Sequence, residues 1–128
     1  MADFKLKIQV PTEKQEHKCL MQWIRTQQVV RDLIIHIPNE GQRNPIYGYH
    51  LKQMGMRAGV SDFFLPLPTP LFHGLWIELK RKENGRESME QRTWINKMRG
   101  LGYAAFFCYG WEDAKSRIEE YLRGKSAA

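Results

Sequence analysis

The stretch Gly74-Leu75-Trp76-Ile77-Glu78-Leu79-Lys80-Arg81-Lys82, GLWIELKRK, decides how the chain is read. Its apolar residues make a strand, and side chains along a strand alternate between two faces. Ile77 and Leu79 share one face; Trp76, Glu78 and Lys80 share the other. A half-exposed strand carries charges in this way for solubility alone. Trp76 sits poorly on a solvated face, however, and the opposite face is apolar, so both sides call for a cover. A carboxylate under such a cover needs a metal or an opposite charge. The strand is therefore either a solvated edge or the centre of a hydrolytic site.

Working outward, VSDFFLPLP (60–68) reads as a preceding strand, ended by Pro66, Pro68 and Pro70, which form a wide turn. A hairpin of the two strands sets Asp62 beside Glu78. Upstream, Thr12-x-x-Gln15 fits a capping box that opens a helix over about 13–28, with Cys19, Leu20, Trp23 and Ile24 on one face. DLIIHIP (32–38) reads as the first strand, with His36 a core residue. Residues 39–59, rich in Gly, Asn, Arg and Lys, read as a long loop, of a length that is functional or mobile in a compact domain. Downstream, ENGRES (83–88) is turn chemistry, and Ser88-x-x-Gln91 opens a helix with Trp94, Ile95 and Met98 on one face, ended by Gly100 and Gly102. YAAFFCYG (103–110) is a buried strand. WEDAKSRIEEYL (111–122) is an amphipathic helix using Ala114, Ile118 and Leu122. The order α-β-β-β-α-β-α predicts an α/β fold, a mixed sheet flanked by helices, in one domain over 1–128 with its core at about 12–122.

Bulk composition agrees with a packed globule: 42% hydrophobic, 27% charged and rich in aromatics. Twenty Lys and Arg against 14 Asp and Glu give +6, which favours a polyanionic partner. Cys19 and Cys108 lie far apart without ligand spacing and read as buried free thiols. The N-terminus lacks the apolar core of a signal peptide, and no run suits a membrane span, which gives the expectation of a cytoplasmic protein without membrane partners.

Asp62 and Glu78 together make a hard oxygen site suited to Mg²⁺ or Mn²⁺. Lys80, one pleat away, is placed to serve a nucleophilic water and to meet charge developing on a phosphate. Glu16 projects near the centre of the first helix's apolar face, with Glu13 on its flank; either a site role or attraction to the helix dipole explains such an acid. Gln91 falls on an inward face, where both capping and a contact with the site fit it. Arg43, Lys52 and Arg57 interleave with Tyr47, Tyr49 and His50, a mixture suited to phosphate contact and base stacking, or to a solvated loop. Arg81 and Lys82 read as exposed phosphate contacts.

The segments HIPNEGQRNP (36–45), AGVSDFFLPLP (58–68), GLWIELKRKENGRESMEQRTWI (74–95) and GYAAFFCYGWEDA (102–114) together resemble the stand-alone VRR-NUC (virus-type replication-repair nuclease) proteins of phages and prophages. That family is a branch of the PD-(D/E)xK nucleases, and the resemblance implies their restriction-endonuclease-like core. Carried over, the metal aspartate falls on Asp62, the E-x-K pair on Glu78 and Lys80, the helix glutamine on Gln91, and the acidic helix position on Glu16, with Glu13 the alternative. Ser61 stands where the superfamily has proline, a variant that this family tolerates. The resemblance also implies a metal-binding backbone carbonyl at Leu79. It further implies a Mg²⁺- or Mn²⁺-dependent endonuclease acting on DNA, on branched or four-way (Holliday) junctions, as a homodimer in a bacterial host's cytoplasm. The alternative is a non-catalytic DNA-binding module or a subunit of a viral repair complex. DNA affinity that rests on phosphate contacts falls steeply with salt.

Overall fold

The computed structural model describes residues 9–38 and 45–124. Its centre is β3 (Leu75–Lys80), all six residues of which are buried. β2 (Phe63–Leu65) pairs antiparallel with it, Phe63 opposite Ile77, and β4 (Ala104–Tyr109) pairs parallel on the other side, Glu78 opposite Phe107. The sheet order is β1-β2-β3-β4, with β1 (Ile35–His36) an edge of two residues.

Alternation along β3 divides the core in two. Leu75, Ile77 and Leu79 pack with Leu20 and Ile24 of α1 (Glu13–Ile24) and with Ala114, Ile118 and Tyr121 of α5 (Trp111–Leu122). Trp76 points the other way, onto Ala105 and onto Ile95 and Met98 of α4 (Met89–Gly100). Glu78 and Lys80 share that second face by parity and lie further along it, where α4 begins. A fully buried Leu or Ile is worth about 1.5–3 kcal/mol, so the sheet is held chiefly through its α1/α5 face.

Both expected capping boxes form. Gln15 N–H donates to Thr12 Oγ1 at 3.1 Å while Thr12 N–H donates to Gln15 Oε1 at 2.8 Å, and Ser88 and Gln91 repeat the pattern. Other expectations need correction. α1 stops at Ile24, because the Thr26 hydroxyl takes the Trp23 carbonyl at 2.6 Å and competes with the helix ladder. A short α2 (Gln28–Leu33) follows, burying Val30 with Ile34 packed beside it, so the expected first strand loses Asp32 and Leu33 to a helix and keeps only Ile35 and His36. His36 is exposed on the edge strand, in edge-on contact with His17 with ring centroids 4.4 Å apart, and is no core residue.

The expected loop contains α3 (Pro45–Gln53), with proline at its first position, where the missing N–H costs nothing. A turn at Gly55, φ +99°, closes it. α3 leaves Ile46, Tyr47 and Tyr49 exposed, so it lacks the apolar stripe by which helices are read. In α5 the inward residue is Tyr121, not Leu122, which is 41% exposed. Cys108 is buried, but Cys19 only half so.

Candidate active site

β2 and β3 bring the acids together by register. Since Phe63 faces Ile77, the next pair outward is Asp62 and Glu78. There each carboxylate is held by a main-chain amide of the other strand. Asp62 N–H donates to Glu78 Oε2 at 2.9 Å, and Leu79 N–H donates to Asp62 Oδ2 at 2.8 Å. Charge-assisted bonds of this kind fix both groups on the rigid sheet rather than on a loop.

Lys80 and Gln91 complete the cluster. Lys80 is 6% exposed, and its Nζ lies 3.7 Å from Glu78 Oε1. Gln91 Nε2 donates to the same oxygen at 2.7 Å, while its Oε1 accepts from Ser88 N–H. Capping and site contact therefore coincide: the cap occupies the amide oxygen and aims the amide nitrogen at Glu78. Ser88, which the sequence reading treated only as a cap, thus orients a site residue.

Asp62 is 9% exposed and Glu78 3%, and burial raises both above the ordinary carboxylate range. Glu78 is pushed up to about 8, by burial and then by the Asp62 charge. Asp62 rises to about 6, by burial and by Glu13, against the lowering effect of the Leu79 amide and Lys80. One ammonium faces two clustered acids and a third at longer range, so a hard divalent cation suits the charge balance and the oxygen donors. No group of three or more His, Cys, Asp or Glu poised for a metal exists among the described residues. The protein's donor set is two carboxylates, the number with which Mg²⁺ is commonly held beside water and phosphate. Leu79, expected to offer its carbonyl, uses its N–H to hold Asp62.

Glu16 takes a different place from the one expected. It is 1% exposed, as its position on the α1 face requires, but α1 covers the Ile77/Leu79 face of the sheet and the acids stand on the other. The charge of Glu13, at the first turn of α1, acts on both Asp62 and Glu78; that of Glu16 acts on Lys82. Glu13 is thus the helix carboxylate in electrostatic reach of the pair. Both candidates stand in the first turn of α1, and their spacing in sequence did not tell which of them the pair would feel.

The basic residues are dispersed. Lys52 lies exposed on α3. Arg57 borders a cavity of about 210 Å³ with Glu90, Trp94 and Lys97, on the α4 side. Arg43 falls outside the described residues. Arg81 is half-buried rather than exposed, reaching the Val10 carbonyl at 3.5 Å, and Lys82 is paired with Glu112 at 2.9 Å.

A family profile described as the VRR-NUC domain matches residues 11–112. A solved structure described as a "VRR_NUC domain protein" aligns with 90% of this chain and 91% of its own, at 26% identity and a TM-score of 0.77. No curated protein matches the sequence. The profile covers every residue of the acidic cluster, and the mixed four-stranded sheet recurs in the similar structure. The chain belongs to the VRR-NUC family, whose nuclease-type fold agrees with the PD-(D/E)xK placement.

Proposed function

We propose that the protein is a Mg²⁺- or Mn²⁺-dependent DNA endonuclease. The observation that carries this reading is the buried cluster of Asp62, Glu78, Lys80 and Gln91, held by reciprocal strand amides on one face of a nuclease-type sheet. Asp62 and Glu78 would hold the cation, with Glu13, whose charge acts on both, the further acid. When bound, such a cation polarises a phosphoryl oxygen and supplies a nucleophile at neutral pH. Lys80 places a fixed positive charge where negative charge develops on the phosphate, and burial strengthens its effect. Gln91 keeps Glu78 in position through one oxygen and leaves the rest of that carboxylate for its other partners. Lys52 and Arg57, with Arg43, would contact the DNA backbone.

A chain of this size cutting a four-way junction symmetrically needs two copies, so a homodimer acting on branched DNA is the specific form of the proposal. The test compares wild type with Asp62→Ala and Lys80→Ala on linear, flap, splayed-arm and four-way DNA in Mn²⁺, beside the mass in solution. Each substitution is expected to lower cleavage at least 100-fold with folding retained. Cleavage unchanged in both variants overturns the mechanism, and a wild type that binds branched DNA but never cuts it favours a binding module.

A further inference from the structure

Across the sheet from the acidic cluster, at the same end of β3 and β4, lies a second cavity of about 490 Å³. Gln15, Glu16 and Lys18 of α1 line it, with Lys82 from the turn after β3 and with Trp111 and Glu112 at the start of α5. Its floor is unusual. Glu16 is 1% exposed, and its Oε2 finds no hydrogen-bond donor among the described residues. Buried acceptors without donors are rare, and a carboxylate oxygen without one is among the costliest. Gly110 makes the room: a Cβ there would stand 3.1 Å from Glu16 Oε2 and 2.7 Å from Lys82 Cε. The amide of Gly110 donates to the Lys80 carbonyl at 2.8 Å, so this floor and the Glu-x-Lys strand are joined directly.

The polarity of the cavity selects its ligand. An acceptor without a donor lies inside, with the ammonium-bearing side chains of Lys18 and Lys82 beside it, Lys82 shared with Glu112. A simple cation suits the interior but not those lysines, and a simple anion the reverse. A ligand that carries an N–H donor and a negative charge suits both. Half-buried Trp111 adds a surface on which a flat ring can stack. We infer that this cavity receives an unpaired nucleotide with an amino-bearing base: Glu16 accepts from the exocyclic amine, Trp111 meets the ring, and Lys18 and Lys82 meet the phosphate. Carboxylate recognition of the cytosine amine is the corresponding contact in duplex readout. As a feature of the substrate, the inference rests on the nuclease reading above; as a binding site, it stands on this cavity alone.

Cytosine and uracil nucleotides make the sharpest probe, because the amine of one is an oxygen in the other, and that oxygen would face the carboxylate. Titration calorimetry with dCMP and dUMP is expected to favour dCMP by about tenfold. Glu16→Gln, nearly isosteric, should erase the preference. Lys18→Glu, on the exposed surface, should weaken both ligands and leave the preference intact. Oligonucleotides with a single bulged dC or dU separate a strand-borne nucleotide from a free one: tighter binding of the bulge assigns the site to substrate, equal binding to a free mononucleotide. Equal affinity for dCMP and dUMP, or a preference that survives Glu16→Gln, overturns the inference. Mn²⁺-dependent cleavage on the same samples keeps the two readings apart. Cleavage without a dCMP preference removes the pocket alone, and a dCMP preference in a protein that cuts no DNA removes the nuclease alone.

Discussion

At the scale of single residues, Glu78 gathers the site's contacts: a strand amide on one oxygen, with Gln91 and Lys80 on the other. That arrangement conflicts with stability when no cation is present. Burial raises Glu78 from 4.5 to about 8 and Asp62 from 3.8 to about 6, so the folded state binds more protons than the unfolded state between about pH 4 and 8. Stability contributed by these protons is full below the unfolded values and is lost as pH rises through the folded ones. The groups facing the pair are Lys80 and Gln91, with Glu13 beyond, and Lys80 alone opposes the trend with a charge. Glu78→Gln removes the conflict. In metal-free buffer it should melt higher than wild type at pH 8, by about 1–3 kcal/mol of unfolding free energy, with the gap closing toward pH 5. Cleavage should vanish in the same protein. Equal melting of the two proteins at pH 8 would show that the carboxylates are not in conflict.

At the scale of elements, the chain was legible wherever a period met a cover. β3 could be read because the apolar sets of both its faces pack on helices, and α4 because its cap and stripe agree. α3 was not, since Ile46, Tyr47 and Tyr49 face outward and its helix rests on Pro45 and on the turn at Gly55. Asp62 against Glu78 followed from a hairpin register. The helix acid did not, because Glu13 and Glu16 stand in the same first turn of α1 and a stripe tells which side of the helix is buried but not which of the two acids acts on the pair. It is the charge of Glu13 that acts on both Asp62 and Glu78. Glu13→Gln should therefore lower both raised carboxylate pKa values, flatten the pH dependence of stability and raise the Mn²⁺ concentration needed for half-maximal cleavage several-fold. An unchanged Mn²⁺ requirement would remove Glu13 from the site. Leu79→Ala tests the packing that carries the strand: fully buried at the α1/α5 face, it should cost about 2–5 kcal/mol in urea denaturation. A cost below about 1 kcal/mol would mean that this face does not hold the sheet.

For the whole molecule, cation binding, proton binding and folding are linked through one pair of carboxylates. The unfolded chain separates Asp62 from Glu78 by 16 residues, so a cation held by both binds the folded state and stabilises it by mass action. At pH 5 protons already occupy the pair, because the folded values of about 6 and 8 lie above that pH. A cation must displace them there and gains little. At pH 8 Asp62 is ionised and Glu78 about half so, and a cation has far fewer protons to displace. Millimolar Mg²⁺ should therefore raise the melting temperature at pH 8 by several degrees, where a ligand at 100 times its Kd gives about 2.7 kcal/mol, and should raise it far less at pH 5. Glu78→Gln should show a smaller rise than wild type at pH 8, since one of the two charged ligands is lost. Nonspecific cation effects on a chain of net charge +6 would instead act alike on wild type and variant. A rise at pH 8 that Glu78→Gln leaves intact would place the cation elsewhere, and with it the chemistry assigned to the β2–β3 hairpin.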